Sequence, residues 1–203
     1  MSATTLTPQQ AWPFPVADAP TAQGHEHDGM NSPPVEAPTP AFVTPPAIGQ
    51  YWPGQGGVYM GVRPAIGNLP AGHMVYSDEM SEPLAYGKYK RIPGADSAHD
   101  GRANTDALIA AAADNDGSPA AAWAHGYTKD GHADFVLPSQ ADLVMAYLHA
   151  RAADSQVFGT DVLWSSTQGS ADVAFAQDFE YGFSGWGDKD GKFRVRALRL
   201  IQL

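Results

Sequence analysis

The most regular pattern of apolar and polar residues in the chain follows Pro138. Apolar side chains recur there at spacings of three and four, which is the period of a helix buried along one face. The recurring positions are Leu143, Ala146, Tyr147 and Ala150. Ser139 can cap such a helix, and Asp142 stands where a carboxylate completes a capping box. The pattern predicts a helix from Ser139 to Ala150.

Two weaker helical patterns precede this one. The first begins near Asn104 or Thr105 and ends at the turn-forming residues 114–117. Its expected buried positions are Leu108, Ile109 and Ala112. The second is a short piece at residues 120–125, in which we expect Trp123 to enter the core. Both patterns are rich in alanine, which favours a helix and offers little apolar surface to bury.

Stretches rich in β-branched and aromatic residues predict the strands. They are residues 57–62, 74–76, 162–165, 173–179 and 193–201. We expect Trp164 to be a core residue that packs against the helix from Ser139 to Ala150. In the last stretch the apolar residues from Phe193 to Ala197 alternate with Arg194 and Arg196, as in a strand with one apolar face. Residues 78–100 are polar and resemble a loop. The order of strands, then helices, then strands predicts an α+β protein with a mainly antiparallel sheet.

Residues 1–48 differ in composition from the rest of the chain. They hold ten of the 17 prolines and no Lys or Arg, so we expect an extended arm that precedes a domain over residues 49–203. Trp12, Phe14 and Phe42 are large aromatic side chains in this otherwise polar arm. We interpret them as anchors that dock into a neighbouring subunit. The alternative is a solvated tail with incidental aromatic residues.

Composition excludes several classes of function. The formal net charge is −10, from 22 acidic and 12 basic residues, and no dense basic run could follow a phosphate backbone, so no nucleic-acid partner is expected. The chain has no cysteine, which excludes disulfides, thiolate metal sites and cysteine nucleophiles. The sequence contains no apolar stretch of about 18 residues, so we expect no membrane insertion. The first ten residues lack the pattern of an export signal, so we expect another vehicle, such as a virion, to carry the protein outside the cell.

Three short blocks carry a resemblance to a known family. They are Asp134–Ser139 (DFVLPS), Leu163–Thr167 (LWSST) and Arg194–Arg199 (RVRALR). In order and spacing they resemble the C-type-lectin-fold domains of phage and bacterial proteins, which are related to formylglycine-generating sulfatase modifiers, retroelement variable proteins and the phage major tropism determinant. The resemblance covers about residues 100–203, with a weaker echo at 50–62. The resemblance implies a C-type-lectin-like fold with two helices. It predicts the fold only, because the three blocks form the scaffold of such domains and do not define an activity.

The chain departs from this superfamily at its functional motifs. Formylglycine-generating enzymes need cysteines, and the chain has none, so we expect no enzyme activity and no cofactor. The Glu-Pro-Asn, Gln-Pro-Asp and Trp-Asn-Asp motifs of calcium-dependent lectins are also absent from the sequence. His25–Asp28 resembles a metal cluster, but alternate histidines in an arm are more often solvated, and no metal is expected there. Asp188–Gly191 resembles half a calcium loop without its closing glutamate, and we interpret it as a turn.

Ligand contacts in retroelement variable proteins lie between the second and third blocks, here residues 168–192. The stretch mixes aromatic side chains with polar groups, as binding surfaces do. The candidate ligand-binding residues are Gln168, Asp172, Tyr181, Phe183, Trp186 and Asp188. Val173, Phe175 and Phe179 alternate as core residues would. Glycines at positions 182, 185, 187 and 191 interrupt the strand pattern, so we expect Tyr181, Phe183 and Trp186 to be exposed on a loop.

Together these observations predict a phage virion protein that displays a C-type-lectin-like domain for host-surface adhesion or receptor recognition, on a tail or fibre. The expected partners are other virion proteins, through the arm, and a host cell-surface protein or glycan. The resembling tropism proteins and the gain from multivalency favour a homotrimer. One alternative is a head-decoration or collar protein without a host ligand, and another is a bacterial adhesin. The expected location is the virion, on the tail or the capsid surface.

Overall fold

The computed structural model describes residues 44–203, which form three helices and nine strands. The helices are α1 (Gly101–Ala110), α2 (Pro119–Gly126) and α3 (Gln140–Ala152). The strands are β1 (Tyr51–Trp52), β2 (Gly57–Arg63), β3 (Gly72–Tyr76), β4 (Leu84–Ala85), β5 (Val162–Gln168), β6 (Val173–Asp178), β7 (Ser184–Asp188), β8 (Lys192–Phe193) and β9 (Leu198–Gln202). None of the helices in this part of the chain is long and apolar enough to cross a membrane.

The strands form three antiparallel sheets. The first has the order β1-β2-β3-β9, so the last strand of the chain pairs with a strand near its beginning. The second pairs β4 with β8, and the third has the order β5-β6-β7. The predicted α+β class with mainly antiparallel strand pairing is therefore confirmed, whereas the expected single sheet and two helices are three sheets and three α-helices. The two-residue strands β1 and β4 carry too little pattern to be recognised in the sequence.

Helix α3 follows the prediction closely. Ser139 accepts a hydrogen bond from the Asp142 amide, and the Asp142 carboxylate accepts bonds from the Ser139 amide at 2.9 Å and its hydroxyl at 2.7 Å. This capping box is buried, and Arg63 lies 3.4 Å from the second Asp142 oxygen. Burial raises the pKa of Asp142. The apolar face of the helix packs on β2 and β3 through Leu143 and Ala146.

Helix α1 begins earlier than predicted and buries different residues. Asp100 caps it by accepting a bond from the Ala103 amide, so the first turn lies before Asn104. Asn104 is buried and donates to the Ser97 carbonyl and the Ser166 hydroxyl, at 2.7 and 3.1 Å. Thr105 is also buried, whereas Ala112, predicted to be buried, is exposed. The apolar pattern missed these positions because buried polar side chains are tolerated when their hydrogen bonds are satisfied.

Helix α2 matches the second helical prediction, and its capping residue is Ser118. Ala120, Ala121 and Ala124 form its buried face. Trp123 packs against the edge of the core and is only partly buried. The prediction that it enters the core is therefore wrong, although its ring does contact core residues. The short side chains bring the helix backbone close to its neighbours and leave the larger ring at the margin.

The predicted strand over residues 193–201 is divided in two. Strands β8 and β9 flank an irregular segment, and Arg196 within it is buried instead of facing outward. Its guanidinium donates to the backbone carbonyls of Ser77 at 2.5 Å and Asp78 at 3.2 Å, and it lies 5.1 Å from the Phe158 ring centre. A buried cation that is hydrogen-bonded to backbone carbonyls can hold a loop in place, and the alternation of apolar and polar residues does not reveal such burial.

Trp164 is fully buried, as predicted, but its neighbours differ from those expected. The indole packs at ring-centre distances of 5.7 Å from Tyr86 and 4.5 Å from Phe193, and its Nε1 donates to the Leu84 carbonyl at 2.9 Å. Trp164 thus belongs to the core cluster of α1 and α2, not to the face of α3. The adjacent Leu163 points to the other side of β5 and joins the cluster that packs on α3.

We expect Trp164→Ala to lower the free energy of unfolding by about 3–5 kcal/mol, because it removes a buried aromatic side chain and leaves a cavity. Urea denaturation followed by far-ultraviolet circular dichroism measures this loss. Trp123→Ala is the matched control, and its cost should be clearly smaller because Trp123 is only partly buried. Equal losses in the two variants would contradict the placement of Trp164 at the centre of the core.

Candidate functional site

The candidate site is a hairpin that β6 and β7 form at the margin of the third sheet. The two strands pair over five residues, and Phe175 lies opposite Trp186. The sequence predicted a loop here because of its glycines, and this part of the prediction is wrong: Ser184–Asp188 is a strand. A strand tolerates glycine when its neighbour supplies the ladder of hydrogen bonds and a large ring covers its inner face.

Gly187 illustrates this close approach. A Cβ atom at this position would lie 2.7 Å from the Phe193 ring and 3.0 Å from the Trp164 ring. At position 187 the inner face of β7 is therefore occupied by the rings of the core, and no larger residue fits at this position. The aromatic side chains of the hairpin project elsewhere.

Tyr181, Phe183 and Trp186, here called the hairpin aromatics, are exposed. Their exposed fractions are 68%, 73% and 53%. The exposure that the sequence predicted is present, and a role in ligand binding stays a prediction. The Tyr181 and Phe183 rings lie 6.3 Å apart between centres. Exposed large apolar side chains that lie close together are typical of interaction sites.

A shallow groove of about 190 Å³ lies beside these rings. Phe183, Phe193 and Val162 contribute apolar walls. Gly185 leaves its centre open, since no heavy atom lies within 4 Å of the position that a Cβ would take. The groove has the size of a single side chain or a small ring.

The turn of the hairpin is held rigidly. The Asp178 carboxylate accepts hydrogen bonds from the amides of Glu180 at 2.7 Å and Tyr181 at 3.1 Å. Gly182 has φ +80°, and a Cβ there would lie 2.4 Å from the Tyr147 hydroxyl of α3. The turn thus packs directly on the helix, and the backbone that carries Tyr181 and Phe183 is held by these contacts.

Trp186 has both a structural and an exposed face. Its ring lies edge to face with Phe175 at a centre distance of 5.8 Å. Phe175 and Phe179 are buried, as predicted, whereas Val173 is only half-buried. Phe175 lies beside Trp186 on the face of β6 opposite to Ala174 and Ala176, which face the core, so its predicted inward direction is wrong. Trp186 therefore covers Phe175 while about half of its surface faces solvent.

Gln168, a candidate ligand-binding residue, lies inside the protein with an exposed fraction of 2%. Its Oε1 accepts hydrogen bonds from the Ile92 amide at 3.1 Å and from Lys189 Nζ at 3.0 Å, and its Nε2 donates to the Ile92 carbonyl. Its amide thus holds the loop around Ile92 against the end of β7. Gln168 does not share a surface with the hairpin aromatics.

Lys189 is the residue at this site that the sequence did not indicate. Its side chain is buried, and Nζ donates to the Lys90 carbonyl at 2.7 Å and lies 5.4 Å from the centre of the Tyr86 ring. Burial lowers the pKa of Lys189 to about 8. Lys189 follows an exposed aspartate in a sequence that is typical of a surface turn. Only the tertiary structure therefore reveals that the Lys189 side chain is buried.

The remaining candidates, Asp172 and Asp188, are exposed at the end of the hairpin away from its turn. The Asp172 carbonyl accepts a bond from the Lys189 amide at 2.9 Å, which keeps the two ends together. Asp190 follows them in the turn before β8, where the Gly191 amide donates to the Asp188 carbonyl at 2.8 Å. Exposed carboxylates therefore lie at this end, while Glu180 is exposed at the other.

The predicted anchors Trp12, Phe14 and Phe42 and the histidines of residues 25–28 lie outside the described residues. Between residues 44 and 203 no group of three or more His, Cys, Asp or Glu side chains could hold a metal ion.

No protein-family model matches the chain, and no curated protein has a significantly similar sequence. Among solved structures, the chain resembles a fimbrial protein from Bacteroides ovatus ATCC 8483, with 13% sequence identity and a TM-score of 0.41. The matched region covers 62% of this chain and 35% of that protein. The chain therefore spans about a third of the length of the protein that it matches.

The lowered pKa of Lys189 predicts a pH dependence of stability. Between pH ~8 and ~10.4 the unfolded chain still binds a proton that folded Lys189 has released, so stability rises with pH in this window. The neutral amine keeps two N–H donors for Lys90 and Gln168. We expect the wild type to gain stability relative to Lys189→Met between pH 7 and pH 10 in urea titrations.

The exposed Lys192→Met variant is the control, and it should track the wild type at every pH. A constant difference between Lys189→Met and the wild type would contradict the lowered pKa.

Proposed function

We propose that this protein is a non-enzymatic adhesion or recognition protein that makes its principal external contact through the hairpin aromatics. The observation that carries the proposal is the exposure of Tyr181 and Phe183 on a rigid turn. Aromatic side chains have only two rotatable bonds, so they lose little conformational entropy when a partner covers them. A protein without a partner for this surface would gain nothing from leaving the rings in water.

We further propose that the domain has a C-type-lectin-like fold. The three sequence blocks support this, because they lie at structurally comparable places. Asp134–Ser139 leads into α3, Leu163–Thr167 lies in the buried strand β5, and Arg194–Arg199 leads into the closing strand β9. The pairing of β9 with β3, which joins the two ends of the domain, is a further support.

The setting that we propose is a phage virion, with the domain displayed for adsorption to host cells. It rests on the resemblance of the three blocks to phage and bacterial display domains. Assembly into a homotrimer belongs to the same proposal, since several weak sites on one particle bind a cell surface much more tightly than one. The alternative is a decoration protein without a host ligand. The following experiment distinguishes this alternative from host adhesion.

The test is the double variant Tyr181→Ser with Phe183→Ser. Both side chains are mostly exposed, so the melting temperature should shift by less than about 2 °C. Adsorption of particles that carry the variant should fall strongly, because the apolar contact area is lost. Calorimetry and a particle adsorption assay measure the two effects.

Leu148→Ser is the matched control, since Leu148 has an exposed fraction of 60% and lies on α3 outside the hairpin. It should change neither quantity. Lost assembly of the Tyr181 and Phe183 variant into particles would favour decoration over adhesion. A large fall in its melting temperature would show that the two rings are structural, and the proposal would fail.

A further inference from the structure

The hairpin has a second feature besides its aromatic side chains: β7 is the edge strand of its sheet. The order β5-β6-β7 leaves one side of β7 without a neighbouring strand among residues 44–203. Native proteins commonly protect such edges with prolines, bulges or a covering loop, because an open edge recruits other strands. Strand β7 has the sequence SGWGD, with no proline and no lysine.

The hydrogen bonds of the hairpin show which backbone groups face outward. The Asp178 amide donates to the Phe183 carbonyl at 2.8 Å, and the Lys189 amide donates to the Asp172 carbonyl at 2.9 Å. In an antiparallel pair the bonded residues alternate with residues whose backbone groups point away. Ser184 and Trp186 therefore direct both their N–H and their C=O groups to the open side of the sheet, and Asp188 directs its N–H there.

The exposed charged side chains on β7 and in the turns on either side of it are acidic, and exposed Lys192 lies beyond them in β8. Asp188 lies on the strand itself, Asp190 follows it, and Glu180 precedes it in the turn, and all three are exposed. Lys189, which lies among them, has a buried side chain and offers no charge at the surface. The edge thus combines free backbone groups, an apolar centre at Trp186 and carboxylates toward both ends.

This charge distribution distinguishes between possible occupants of the edge. A second copy of β7 carries the same three carboxylates and no exposed cation on the strand, so it adds like charge to the edge and does not complement it. The N-terminal residues 1–43 of this chain contain four acidic residues and no Lys or Arg, so they do not complement the edge either. A basic segment does.

We propose that β7 binds an extended basic segment of another protein by strand addition. The segment would pair with the backbone of Ser184 and Trp186, place apolar side chains beside Trp186 and in the Phe183 groove, and direct Lys or Arg toward the carboxylates. This inference rests on the proposed adhesion function, and it specifies the partner as a polypeptide rather than a glycan.

The experiment uses the full chain, isotopically labelled, and amide chemical shifts in nuclear magnetic resonance. The probe is a seven-residue peptide of alternating valine and threonine with a lysine at each end. We expect it to shift the amide signals of Ser184, Trp186 and Asp188, and to bind more weakly as salt increases. A matched peptide with glutamate at each end should bind about tenfold more weakly or not at all.

Two controls separate backbone pairing from side-chain contact. The lysine peptide with methylated backbone nitrogens on its pairing side cannot donate hydrogen bonds, and it should not bind. Ser184→Pro removes an outward N–H at a position where an edge strand tolerates proline, and it should also abolish binding. Ser184→Ala keeps this N–H while it removes the hydroxyl that donates to Gln177 Oε1 at 2.6 Å, and it should bind like the wild type.

Several results would overturn the inference. One is that the methylated peptide binds as well as the unmethylated lysine peptide. Another is that a folded Ser184→Pro variant still binds the lysine peptide. A third is that the amide signals of the wild type do not shift at millimolar concentrations of this peptide. Slow hydrogen exchange at the Ser184 and Trp186 amides without peptide would show that the arm or a second copy already covers the edge. If Ser184→Pro particles adsorb normally while the Tyr181 and Phe183 variant does not, the adhesion function stands and strand addition fails.

Discussion

Burial of the Trp164 indole is the constraint on which the candidate site depends. The ring fills the space between Tyr86 and Phe193, and its one polar group is satisfied by the Leu84 carbonyl. Because it also occupies the inner face of β7, that strand has glycine at position 187. On the inner face the hairpin contributes only small side chains, Ala174 and Ala176, and its large aromatic side chains lie on the turn and on the other face. The exposure of the hairpin aromatics is thus a geometric consequence of how the core is filled.

Buried polar side chains keep the irregular parts of the domain in place. Gln168 and Lys189 connect the end of β7 to the loop at residues 90–92, and Arg196 connects the segment before β9 to the backbone at residues 77 and 78. Each group is buried and is hydrogen-bonded to backbone groups or to another buried side chain, which offsets the loss of contact with water. Long stretches without regular structure can therefore hold one conformation and present a rigid surface.

A rigid aromatic turn next to an open strand edge offers two different kinds of interaction at one place. The rings supply apolar area that any partner surface can cover, whereas the backbone groups of Ser184 and Trp186 accept only a partner that extends along the strand. Burial of apolar surface area contributes affinity for many partners. Hydrogen bonds along the strand and complementary charge add selectivity among these partners. The two contributions can be separated because they depend on different atoms of the same hairpin.

The sequence by itself determined the elements with strong local signals. Helix α3 followed from its capping box and its spacing, the α+β class from the order of elements, and the exposure of Tyr181, Phe183 and Trp186 from the nearby glycines. The tertiary structure alone decided that residues 184–188 form a strand, that Gln168 and Lys189 are buried, and that the segment at Arg196 is irregular. The physical reason is that pairing along a sheet edge and the satisfaction of buried polar groups depend on residues distant in sequence. Ile92 and Gln168 are one such pair, and no local pattern records their contact.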